Sequence, residues 1–75
     1  MLELKQYFID GIPKPSDIAK VIDIANVEHC FVKLIWKNVD RGNVLTETFI
    51  EPYYDVYDNI VNIIRNQTNR NKYLM

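Results

Sequence analysis

Hydrophobic and polar positions follow two periods along this chain, and the changes between them mark the elements. Residues 2–9, Leu-Glu-Leu-Lys-Gln-Tyr-Phe-Ile, alternate at first with period two, which predicts a strand. Asp10-Gly11-Ile12-Pro13-Lys14-Pro15 is punctuated by glycine and proline and reads as a loop. Ile18, Val21, Ile22 and Ala25 then recur at helical spacing. Ser16 stands before them as the expected N-cap, Asp17 places negative charge in the first turn, and Asn26 is the expected terminator.

Residues 29–38 return to period two. Cys30, Val32, Leu34 and Trp36 share one face, and Phe31, Lys33, Ile35 and Lys37 share the other. Asp40-Arg41-Gly42-Asn43 predicts a hairpin turn with Gly42 at positive φ. Residues 44–50, β-branched and ending near Phe49, form the return strand. Glu51-Pro52 opens a second helix, since proline is favoured at the first helical position. Tyr53, Val56, Tyr57, Ile60, Ile63 and Ile64 then share its apolar face.

The order β-α-β-β-α predicts an α+β two-layer sandwich, with a three-stranded, mostly antiparallel sheet and two helices covering one face. The expected domain is 1–66, with a polar, frayed tail over 67–75. Cys30, Val32, Leu34 and Trp36 should lie under the helices. Phe31, Lys33, Ile35 and Lys37 should occupy the second sheet face, joined by Tyr7, Ile9 and Phe49 according to register, since a one-residue slip inverts a strand. Large apolar residues on a face that is ordinarily polar point to an interface, unless a helix covers them.

Length and composition narrow the alternatives. The chain has 75 residues, enough for one core. A net charge of −1 gives little support to sequence-independent nucleic-acid binding. One cysteine makes neither an intramolecular disulfide nor a multi-cysteine zinc site. No apolar run approaches the ~20 residues of a membrane helix, and Met1-Leu2-Glu3-Leu4-Lys5 does not read as a signal peptide. A cytoplasmic protein is expected. The abundance of Asn, Ile, Lys and Tyr matches AT-rich codons, which points to a low-GC bacterium or one of its phages or plasmids.

Candidate chemistry is sparse. Gly11 and Gly42 are isolated, so there is no phosphate-binding loop, and Ser16 is the sole serine. His29 and Cys30, adjacent in a strand, would point to opposite faces and could not act as a pair. Glu51, Asp55 and Asp58 would line one helix face, where they complement the dipole or form an acidic recognition strip with Tyr54 as anchor.

These readings favour a small non-catalytic protein-interaction module without cofactor or metal. It would bind a protein partner or form a homodimer, for instance as a phage or mobile-element inhibitor or accessory factor. Its candidate interface residues are Phe31, Lys33, Ile35 and Phe49 on the sheet, and Tyr54, Asp55 and Asp58 on the acidic strip. The alternative is a nucleic-acid-binding or regulatory protein using the Lys33/Lys37 face. The order β-α-β-β-α is shared by unrelated domains and does not decide between them.

Overall fold

The computed structural model describes residues 2–68. Strand β1 (Leu4–Ile9) leads to helix α1 (Pro15–Glu28), strand β2 (Phe31–Asn38), a short 3-10 turn (Val39–Arg41), strand β3 (Val44–Ile50) and helix α2 (Tyr57–Thr68). The fold is α+β with a mixed sheet of order β1-β2-β3. One pair corrects the mostly antiparallel expectation: β1 runs parallel to β2, while β2 and β3 are antiparallel. A parallel pair needs a crossover, and α1 supplies it.

Each helix begins elsewhere than expected. Pro15, with its fixed φ, takes the first position of α1, so Ser16 lies inside the helix and Lys14 is the N-cap. The Lys14 N–H donates to Asp17 Oδ2 at 3.0 Å, one arm of a capping box. The helix passes through Asn26 and ends at His29, whose φ of 53° is left-handed. His29 and Cys30 therefore precede β2 rather than belonging to it.

Helix α2 starts at Tyr57, five residues after Pro52. Tyr53 takes a φ of 73°, which no right-handed helix accommodates. Two contacts accompany this conformation. The Tyr53 N–H donates to Asn26 Oδ1 (2.6 Å), and the Glu51 N–H donates to the Asp55 carboxylate. Tyr53, Val56 and Tyr57 are consequently exposed, whereas Ile60 and Ile64 are buried.

The core lies between the sheet and both helices. Val32, Leu34 and Trp36 of β2 meet Ile18, Val21 and Ala25 of α1, Ile60 and Ile64 of α2, with Cys30 and Ile50 closing it. A polar relay, buried at Trp36, Thr48 and Asn38 and half-buried at Gln67, runs through one end. Trp36 Nε1 donates to Thr48 Oγ1 (3.0 Å), whose hydroxyl donates to Gln67 Oε1 (2.7 Å). Gln67 Nε2 donates to the Glu47 carbonyl (3.0 Å), and the Gln67 carbonyl accepts from Asn38 Nδ2 (3.1 Å). Gln67 and Thr68 thus extend the folded part past the expected boundary at 66, and the rest of that tail, 69–75, lies outside the described residues.

Candidate functional site

Register decides which residues share the face away from the helices. Leu4, Gln6 and Phe8 of β1 pair with Phe31, Lys33 and Ile35 of β2. Phe49, Glu47 and Leu45 of β3 pair with Lys33, Ile35 and Lys37. Directly paired residues point to the same side of a sheet, so these ten side chains form one surface. No described element covers it: Phe8 is 60% exposed, Leu45 59% and Phe49 54%.

The register bears on each residue expected on this face. Phe31, Lys33, Ile35 and Phe49 do share this face. Tyr7 and Ile9 do not; they pair with Leu34 and Trp36 and pack against the core from the helix side. Leu4, Phe8 and Leu45 take part instead. Their signal was the parity of β1 and β3 relative to β2, which the three successive apolar residues Tyr7-Phe8-Ile9 conceal.

Both lysines on this face are paired, one within it and one with the segment after β1. Lys33 Nζ lies 3.7 Å from Glu47 Oε2 and 5.5 Å from the Phe49 ring centroid. Lys37 Nζ lies 3.4 Å from Asp10 Oδ1. Two cations and two anions thus leave the surface close to neutral.

The acidic segment forms no helical strip. Glu51 and Asp55 lie in the connection before α2, and Asp58 alone of the three lies in it. Asp55 is half-buried and internally engaged: its carboxylate accepts from the Glu51 N–H and from Asn59 Nδ2. Tyr54 is 79% exposed. It joins Leu2, Phe31, Glu51, Pro52 and Tyr53 around a cup of about 320 Å³ at the end of the sheet where β2 begins and β3 ends. Tyr53 is held from outside the cup as well, its ring centroid 5.1 Å from that of His29.

Other reactive groups stand apart. Cys30 is a free, buried thiol, while the neighbouring His29 is exposed. Among the described residues, no three His, Cys, Asp or Glu side chains gather as a metal site. Nor is any described helix long and apolar enough to cross a membrane.

A scan against protein-family models finds no match for this chain, and searches of curated proteins and of solved structures find none either. What this arrangement can do is therefore argued from its surfaces.

Proposed function

We propose that this chain is a non-catalytic protein-interaction module that self-associates through its open sheet face. One observation carries the reading: Phe8, Leu45 and Phe49 stand exposed on a surface they share with Leu4, Phe31 and Ile35. Contiguous apolar surface of this kind marks interaction sites. Its charge favours a second copy as the occupant. Lys33 and Lys37 are matched by Glu47 and Asp10, so two such faces meet without net repulsion and can exchange partners across the interface. Two sheets stacked at ~10 Å would interdigitate these side chains. A chain this small also gains from association, because near 75 residues a domain buries only ~60–65% of its unfolded surface.

The pairing of both lysines withdraws support from a nucleic-acid platform, which needs free cations along its groove. The buried Cys30 fits a reducing compartment, in keeping with a cytoplasmic protein. A dimer of this kind would act through its remaining surface, as an inhibitor or accessory factor does.

Light scattering across a concentration series tests the reading. The wild type is expected to approach twice the 8.9 kDa of one chain. The double variant Phe8→Ser/Phe49→Ser should stay monomeric with an unchanged circular dichroism spectrum. A wild type that remains monomeric throughout the series overturns the proposal.

A further inference from the structure

The cup at the end of the sheet touches the open face only through Phe31, and its lining is chemically specific. Three aromatic rings, Phe31, Tyr53 and Tyr54, border it together with the carboxylate-bearing Glu51. Aromatic faces carry negative electrostatic potential and attract cations, the more so beside a carboxylate. Glu51 makes no ion pair among the described residues. The local sequence has the same sign: Glu51, Asp55 and Asp58, with Glu47 already paired to Lys33, fall in a stretch, Gly42 to Ile64, that contains no lysine or arginine.

The cup is also held open by structure. Tyr53 keeps its left-handed backbone under the Asn26 hydrogen bond, with His29 against its ring, and Asp55 fastens the Glu51 backbone. A bulky residue in that conformation is a strained one, maintained by contacts from α1 and its C-cap, while the connection before α2 holds the neighbouring Glu51. Pro52, buried, fixes the chain between the carboxylate and the two tyrosines.

We propose that this cup binds an arginine side chain of a protein partner, its guanidinium stacked among Phe31, Tyr53 and Tyr54 and paired with Glu51. Arginine fits better than lysine because its planar group stacks on rings, forks onto a carboxylate and sheds water more readily than an ammonium. A volume of about 320 Å³ lies at the small end of ligand pockets and accommodates one arginine side chain. The site reads one exposed basic residue, and the acidic stretch around it favours a basic surface on the partner.

The test is an NMR titration of the isotope-labelled full chain with three capped tripeptides, glycine-X-glycine, where X is arginine, lysine or citrulline. Citrulline keeps the shape of arginine and removes its charge. Saturable amide shifts at Phe31 and residues 51–54 are expected with arginine, about tenfold weaker with citrulline and weaker again than arginine with lysine. The Glu51→Gln variant should weaken the arginine response about three- to tenfold while leaving the rest of the spectrum in place. The Phe8→Ser/Phe49→Ser protein should respond like the wild type, so that loss of the dimer and loss of the cup are separate results. No shifts with arginine, a citrulline or lysine response equal to that of arginine, or an unchanged response in Glu51→Gln would each overturn the proposal.

Discussion

On one side of β2, Val32, Leu34, Trp36 and Asn38 are sealed from water by two helices; on the other, Phe31, Lys33, Ile35 and Lys37 have no described element above them. Both sides are rich in apolar atoms, yet they differ in how polarity is handled. The sealed side buries polar groups in a wired relay through Trp36, Thr48, Gln67 and Asn38. The open side balances full charges at its surface, Lys33 with Glu47 and Lys37 with Asp10. Leaving a buried polar group unpaired costs about 1–3 kcal/mol, and among the described residues Asn38 Oδ1 is the one buried polar side-chain atom without a partner. Exposed ion pairs contribute little stability and instead set which surfaces can approach. The sealed side therefore serves the fold, and the open side suits contact.

Substitutions on the two sides should separate these roles. Trp36→Ala empties the centre of the sealed side and should cost about 3–5 kcal/mol in urea denaturation, enough to unfold a domain of this size. Thr48→Val preserves shape but strands Trp36 Nε1 and Gln67 Oε1, with an expected loss of about 1–3 kcal/mol. Circular dichroism would follow both changes, and the fluorescence of Trp36, the sole tryptophan, would follow Thr48→Val. On the open side, Phe8→Ser/Phe49→Ser should change monomer stability by less than about 1 kcal/mol, since surface substitutions generally fall near that level. A loss as large as that of Thr48→Val would show that the open side is also core.

The smallest effect concerns the edge of β1. Lys5 and Glu28 form an ion pair across β1 and the end of α1. The Glu28 hydrogen bond raises the Lys5 pKa above the ordinary lysine value, outweighing desolvation. A raised pKa in the folded state contributes stability below the unfolded value of about 10.4, and this is lost as pH rises through the folded value. Melting temperatures of wild type and Lys5→Met should differ slightly at pH 8 and converge in strongly alkaline buffer. A difference that persists there would assign the contribution to packing of the lysine stem.

The two sides were also unequally legible in the sequence. Alternation through Val32, Leu34 and Trp36 identified the sealed face because one strand's parity is a local property. The hairpin was equally readable: Gly42 and Asn43 take φ of 83° and 61°, and β3 spans Val44–Ile50 as expected. Membership of the open face depended on how β1 pairs with β2, and Tyr7-Phe8-Ile9 offers either parity. The parallel register settled it in favour of Phe8.

The acidic segment misled for a related reason. Glu51-Pro52 carries a genuine helix-start signal, but Tyr53 is engaged by Asn26, 27 residues away in sequence. Gln67 looked like tail in a run of polar residues, while its partners are Glu47, Thr48 and Asn38. Local pattern cannot report contacts of that range. Tyr54 stands out in the sequence as an aromatic anchor, but the cup it borders has no local signature, since Phe31 and Leu2 join it from distant parts of the chain.

The parallel pairing of β1 with β2 has a kinetic consequence. The β2–β3 hairpin closes over a short turn, a process of microseconds. Strand β1 finds its place only after the chain has looped from Leu4 back to Phe31, with α1 formed between them. Pairings of long sequence separation form late because loop closure must precede their reward. During synthesis β1 emerges before β2 and stays unpaired while the segment between them follows. When the full chain refolds, the strand that stands first in the sequence of this sheet is thus the last to join it.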